Sequence, residues 1–300
     1  MALQIIMVAI TIKSRGREKY YYLEHTFREN NNFKKKILYL GKELPKNIEA
    51  LKKNFLSEIY KEKWYKILDS IKDNYSKEIK LMPKSVKEKE LTSFMVKFTY
   101  DTQRIEGSKL TLRETADLLE KGTTPKSKPL NDVKEAEAHK NVFYEMLSYK
   151  KDLSLSILLY WHKNLFKLTK SDIAGNIRKH QVAISGSKFI PPSPVEVYLL
   201  LEDFLRWYNK NKNKLHPVEL AALVHLKFVT IHPFADGNGR VSRLIMNFIL
   251  NKFNYPMLDI PYKGRDSYYN VLERSQVKNI ELIFLQWFIK RYIKENKKYL

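Results

Sequence analysis

The 300-residue chain has no cysteine, which removes disulfide and thiolate chemistry and fits a reducing compartment; a cytoplasmic location is expected. No apolar run approaches the roughly 20 residues that a membrane helix needs, so no membrane association is expected. A P-loop is excluded, because Gly41-Lys42 lacks both the preceding glycine at the required spacing and a following Ser or Thr. There is no internal repeat and no convincing DNA-binding helix-turn-helix. Met1–Ile12 is apolar but has no basic residue before it and no small-residue cleavage site. It reads as a strand preceded by a short extension rather than a secretion signal, with Met7 an alternative start.

Acid is also scarce: 33 Asp and Glu stand against 55 Lys and Arg, a formal charge of +22. Such a field favours anionic partners such as nucleotides or nucleic acid. The lysines are spread with little clustering, so the excess reads mainly as solubility, and nucleic acid is not the expected partner. Apolar residues at 44 % and aromatics at 13 % are enough for a packed core.

The chain changes character along its length. In residues 1–45, Val8–Ile12, Tyr20–Thr26 and Lys36–Leu40 are β-branched or aromatic. Turns at Ser14–Arg17 and Asn30–Asn32 would join them into a small antiparallel β meander. From Asn47 the period is helical. Residues 46–90 read as a helical linker broken at Pro83, with a second helix over Val86–Gln103. Thr111 and Glu114 form a capping box for a helix ending at Gly122. Asn131 is expected to cap the next, and Leu153–Leu168 is another. Ser193-Pro194-Val195-Glu196 is a second capping box. Helices are expected near Pro194–Lys210, Pro217–Thr230, Asn238–Lys252, Arg265–Ser275 and Ile280–Lys297. Between Gly175 and Pro194, Gln181–Ile184 and Lys188–Ile190 flank Ser185-Gly186-Ser187 and read as a short β-hairpin. The fold class is mainly α: a helical bundle with an inserted hairpin and an N-terminal meander.

One stretch concentrates chemistry. His232-Pro233-Phe234-Ala235-Asp236-Gly237-Asn238-Gly239-Arg240-Val241-Ser242-Arg243 joins two amphipathic helices, whose apolar stripes are Leu220, Leu223, Val224, Phe228 and Val241, Leu244, Ile245, Phe248. Gly237 and Gly239 let the backbone approach an anion at a helix N-terminus. Arg240 and Arg243 add two guanidinium forks, making a polyphosphate cradle. Asp236 is the one carboxylate suited to Mg²⁺, which binds through one or two carboxylates plus substrate phosphates. His232 is the nearby group able to take a proton at neutral pH.

This stretch resembles the Fic family signature, His-x-Phe-x-Asp/Glu-Gly-Asn-Gly-Arg-x-x-Arg, at every fixed position. The resemblance implies a Fic-type protein adenylyltransferase that moves AMP from ATP to a Ser, Thr or Tyr hydroxyl of a target protein or of the chain itself, with Mg²⁺ as cofactor. It implies His232 as the base and Asp236 as the metal ligand. Gly237, Asn238 and Gly239 would bind the α- and β-phosphates, with Arg240 beside them, and Arg243 the γ-phosphate. Ile173–Arg178 and Phe189–Pro192 resemble the entry and exit of the family's flap. Gln181, Val182, Ala183, Ile184, Lys188 and Phe189 would then dock the target by strand addition. Arg265–Tyr269 resembles the segment lining the adenine pocket, which implicates Tyr268 and Tyr269. The likeness runs from about 91 to 289, giving a Fic domain over 91–300 with an inhibitory helix near 91–122 and a catalytic core near 130–290.

Thr102-Gln103-Arg104-Ile105-Glu106-Gly107 fits the family's inhibitory pattern, Ser/Thr-x-x-x-Glu-Gly/Asn. By resemblance Glu106 would pair with Arg243 and deny that arginine to the γ-phosphate, holding the enzyme off; a homo-oligomer could control the switch. Removal of AMP and transfer of UMP or phosphate remain alternative reactions. A further alternative is a non-enzymatic nucleic-acid or regulatory module based on residues 1–45, where Tyr20–Tyr22 and neighbouring lysines could stack on a single strand. His225 and His162 read as structural.

Overall fold

The computed structural model describes residues 8–29 and 32–300. The chain forms two compact units, one reaching Ile67 and the other running from Leu68 to Leu300. The division lies inside the first helix of the segment read as a linker, and that segment breaks at Pro83 as expected, with one helix ending at Leu81 and the next starting at Lys84.

In the first unit, strands β1 (Ala9–Arg15), β2 (Glu18–Glu29) and β3 (Asn32–Gly41) form an antiparallel sheet in that order. The meander is as expected, with longer strands. The β1–β2 turn contains Gly16 at φ +64°, a conformation glycine adopts without steric cost. Of the expected Asn30–Asn32 turn, Asn30 and Asn31 lie outside the described residues. Alternation puts Leu23, Phe27 and Leu40 on one face, where they pack with Phe55 and Ile59 from the first helix, α1 (Ile48–Leu81).

The second unit contains α2 (Lys84–Ile105), α3 (Leu112–Lys121), α4 (Leu130–Ser148), α5 (Leu155–Phe166), α6 (Pro194–Asn211), α7 (Pro217–Ile231), α8 (Asn238–Lys252), α9 (Arg265–Lys278) and α10 (Glu281–Glu295). Helices α7 and α8 pack on each other at the centre, with α6 and α10 against α7, and α2, α4 and α5 against α8. Both stripes read from the sequence are buried, from Leu220 to Phe228 and from Val241 to Phe248. Two buried helical faces thus hold the loop between them rigidly.

The capping boxes form as expected at Thr111–Glu114 and Ser193–Glu196, and Gly122 ends α3 in the left-handed region. Two expectations fail. Asn131 is not a cap: α4 begins a residue earlier, with Pro129 at the cap position and no side-chain cap. The Pro129 carbonyl accepts the first helical amides, from Asp132 at 3.0 Å and Val133 at 3.4 Å. The expected hairpin over Gln181–Ile190 is not paired into strands. Pro191 and Pro192 have no amide for a ladder. The Lys188 amide donates instead to Glu273 Oε2 at 2.9 Å. The Gln181 side chain closes the neck of the loop by donating to the Pro191 carbonyl at 2.9 Å. The segment is a closed irregular loop with a turn at Ile184–Ser187.

Candidate active site

His232 ends α7 in the left-handed region, at φ 52°. Its Nδ1 lies 3.2 Å from the Val229 carbonyl. A carbonyl can only accept, so Nδ1 carries the proton and the Nε2 lone pair is free. Burial lowers the imidazole's pKa, more than the bond to Val229 raises it. The ring is therefore neutral and basic at physiological pH.

Asp236 follows four residues later. Its Oδ2 accepts from Lys170 Nζ at 2.6 Å, and its Oδ1 from Arg240 Nη2 at 3.1 Å and from the Gly237 amide. Burial alone would raise its pKa, but Arg240 and Lys170 outweigh it and hold the carboxyl down at about 2. The group is an anion at any working pH. The next residue, Gly237, caps α8 at φ +82°, and a Cβ there would meet the Phe166 ring at 2.3 Å. Only glycine fits that position.

The remaining motif residues divide by role. Asn238 is buried, and its side chain is spent on the backbone of Phe234, accepting at 2.9 Å and donating at 2.8 Å. What it can offer a phosphate is its main-chain amide. Arg240 also turns inward. It is 3 % exposed and bonds Glu135, Gln103 and Asp236 above the Phe166 face. It holds Asp236 from behind and does not line the cleft. Arg243 is the arginine at the cleft wall, with Nε donating to Thr102 Oγ1 at 2.7 Å and Nη2 to Glu106 Oε1 at 2.6 Å. Gly239 makes room for this pair: a Cβ there would stand 2.3 Å from Glu106 Oε1.

Glu106 is the residue at the C-terminal end of α2, and Gly107 turns the chain away at φ +101°. The segment 91–122 is thus two helices with a turn between, and Glu106 and Thr102 belong to the last turn of the first. The reason is the positive-φ glycine, which stops α2 where the glutamate must face α8. Tyr268 is buried, with its hydroxyl 2.9 Å from His225 Nε2, while Tyr269 donates to the Ile105 carbonyl at 3.0 Å. Both border the cleft.

These groups surround a cleft of about 690 Å³ lined by Glu106, His232, Asp236, Gly237, Gly239, Arg243, Tyr268 and Tyr269, and by Ala183–Ser187 of the flap loop. From the flap set, Ala183 and Ile184 reach the cleft. Gln181 and Lys188 brace the loop, the Val182 carbonyl accepts from Gln181 at 3.4 Å, and the Phe189 amide bonds Ser187.

Four further residues complete the site: Arg178, within the segment likened to the flap entry, His162, which read as structural, and Glu135 and Lys170, which local patterns did not mark. Arg178 donates to the His232 carbonyl at 2.8 Å, and to the carbonyls of His180 and Pro192 at 3.1 and 2.6 Å. It ties both ends of this loop to His232. His162 stacks on Phe234 with centroids 3.7 Å apart. Its Nδ1 accepts the Gly175 amide, so its Nε2–H donates to the Asp236 carbonyl at 3.0 Å. Glu135 and Lys170 form the ionic floor under Asp236. The residue His225, which read as structural, is buried, stacked on Phe284 and bonded to Tyr268 and Ser242.

Residues 152–250 match the Fic/DOC family. Over 185 residues the chain is 36 % identical to the protein adenylyltransferase Fic of Drosophila melanogaster and of Drosophila sechellia, an alignment covering 60 % of this chain and 37 % of each relative. The chain therefore spans less than half the length of these curated relatives. A Fic-domain signalling protein from Bacteroides thetaiotaomicron superposes with a TM-score of 0.69 at 28 % identity, over 77 % of this chain and 95 % of that one. Fic-1 from C. elegans superposes with a TM-score of 0.68 at 26 % identity, over 85 % of this chain and 77 % of that one. The chain is thus similar to Fic proteins, and residues 152–250, which hold the loop at the centre of the site, match that family.

Proposed function

We propose that this chain transfers AMP from ATP to a hydroxyl side chain of a protein, and that Glu106 holds the reaction back. The observation carrying this reading is one cleft that holds a neutral imidazole, an ionised aspartate and a phosphate-sized arginine already paired with a carboxylate.

The target hydroxyl would enter beside the flap loop. As its oxygen bonds to the α-phosphorus, His232 Nε2 takes its proton. The bond from that phosphorus to the bridging oxygen of the β-phosphate breaks, and pyrophosphate leaves. The amides at the start of α8, with Gly237 and Gly239 leaving room, would receive the phosphate oxygens. Arg243 would hold the γ-phosphate once Glu106 has withdrawn. Arg178 and His162 would fix the base and the loop in place.

Asp236 suits Mg²⁺, being a hard anionic oxygen donor on the cleft wall. Among the described residues no group of three His, Asp or Glu could hold a metal alone, so the ion would be shared with substrate phosphates. Bound there, it would neutralise charge on the transferring phosphates.

Among the described residues no helix is long and apolar enough to cross a membrane. The cysteine-free composition suits cytoplasmic work.

The test is intact-mass spectrometry of Glu106→Gly incubated with Mg²⁺ and each nucleoside triphosphate in turn. A gain of one AMP from ATP, absent in Glu106→Gly/His232→Ala, is expected. A gain of UMP or phosphate would replace the donor, and no gain with any nucleotide or added protein would overturn the reading.

A further inference from the structure

The first unit carries a second surface that the transfer reaction does not use. The strand register puts Tyr22 opposite Tyr39 and Lys13 opposite Tyr20. Alternation therefore places Phe33, Ile37 and Tyr39 of β3 on the sheet face opposite to Leu23 and Phe27. On that outer face the Tyr20 and Tyr22 rings converge on Tyr39, with centroids 6.3 and 5.2 Å away. Lys13 sits 4.9 Å above Tyr22, and Lys42 lies 5.8 Å from the centroid of Tyr20.

Two features set this apart from an ordinary solvated sheet. Its outermost apolar side chains are open to water, with Phe33 78 % and Tyr39 52 % exposed. Such a row on an edge strand is an aggregation hazard unless something covers it. The surroundings are also strongly cationic, for residues 8–46 hold ten Lys or Arg against four Glu and no Asp. Among the described residues, Arg15 and Arg17 at the β1–β2 turn make no ion pair with another residue's acid, and both are exposed.

We infer that the outer face of this sheet binds single-stranded nucleic acid, with bases stacked on Tyr39 and Phe33 and phosphates held by Lys13, Arg15 and Arg17. Charge and shape choose this occupant together. Phe33 and Tyr39 are six residues apart on one strand, about 20 Å, a span that an extended run of nucleotides crosses. Every base offers a π-face to the rings while its phosphate meets a cation, the combination that sequence-tolerant single-strand binders use. A second copy of the sheet would set like charge against like. An acidic peptide would satisfy the cations and leave the rings in water.

The experiment is fluorescence anisotropy of the full chain with labelled oligothymidylate and oligouridylate, and with a duplex of equal length, each with and without a saturating non-hydrolysable ATP analogue. Saturable binding to the single strands is expected, unaffected by the analogue and weakening linearly in log affinity against log salt. Phe33→Ala/Tyr39→Ala should weaken it about tenfold or more at fixed salt with the salt slope kept. Lys13→Gln/Arg15→Gln should make the slope shallower. Circular dichroism checks that each variant is folded; if the double aromatic variant is not, Phe33→Leu and Tyr39→Leu, tested singly, carry the same comparison. Absence of saturable binding at low salt, binding indifferent to the aromatic changes, displacement by the ATP analogue, or equal or tighter binding of the duplex would each overturn the inference.

Discussion

Glu106 Oε1 lies 2.6 Å from Arg243 Nη2, joining residues 137 apart in the chain. The arginine side chain is 1 % exposed and the glutamate 23 %. A guanidinium so placed serves one anion at a time, so the carboxylate and a γ-phosphate compete for it. Removing the glutamate should act on stability and on nucleotide binding together. Glu106→Gly leaves Arg243 bonded to Thr102 but without its counter-ion, a loss of about 1–3 kcal/mol. ATP supplies the missing anion. Thermal shift should therefore show a lower Tm for the variant alone and a larger rise with ATP than the native chain gives. Equal rises would refute the competition.

The pH profile of transfer should report the base. His232 must be neutral to accept the proton, and its pKa lies below the ordinary 6.5 because the ring is buried. The rate should rise with pH through an inflection below 6.5 and level off above it. Initial rates of the Glu106→Gly variant in constant-ionic-strength buffers measure this, and an inflection above 6.5 would contradict the burial argument.

Acid should destabilise the fold through histidines that the interior keeps neutral. Burial lowers His162 to about 4 and His139 to about 3. The unfolded chain binds protons at each from about 6.5 downward while the folded chain does not. Stability is therefore complete above that pH and falls as pH drops from 6.5 toward 4, by about 1.4 kcal/mol per unit for each such group. Urea midpoints at pH 7.5, 6 and 5 should decrease in that order, each unfolding being fully reversible.

The two motif glycines should answer differently to alanine. Gly237→Ala forces a Cβ into the Phe166 ring at positive φ, so stability should fall by roughly 1–3 kcal/mol or more, visible as a lower urea midpoint. At Gly239 the nearest obstacle is the movable end of Glu106. Gly239→Ala loses the glutamate's hold on Arg243 but gains about 1 kcal/mol from alanine in a helix, so its urea midpoint should fall less than that of Gly237→Ala.

Arg178→Ala should separate positioning from binding. It frees the flap loop at His180 and Pro192 and unties the His232 carbonyl. Turnover in the Glu106→Gly background should fall tenfold or more with ATP affinity little changed, and limited proteolysis should cut within 179–193. A parallel loss of ATP affinity would place Arg178 in the nucleotide site instead.

The sequence by itself determined everything whose cause is local. The β meander, the capping boxes, the buried stripes of α7 and α8 and the chemistry packed between His232 and Arg243 all follow from neighbours in the chain. Tertiary structure decided which of those groups reach the cleft. Arg240 and Arg243 look alike in sequence, yet Glu135 and Gln103, contributed by α4 and α2, draw one into the interior while the other faces Glu106. The contacts of Arg178, His162 and Lys170 are not legible in the sequence because each reaches a partner more than 50 residues away, which no spacing rule encodes. The hairpin expected in the flap is absent for a related reason. Strand pairing depends on what the backbone groups bond, and here Glu273 takes the Lys188 amide while the Gln181 side chain takes the Pro191 carbonyl.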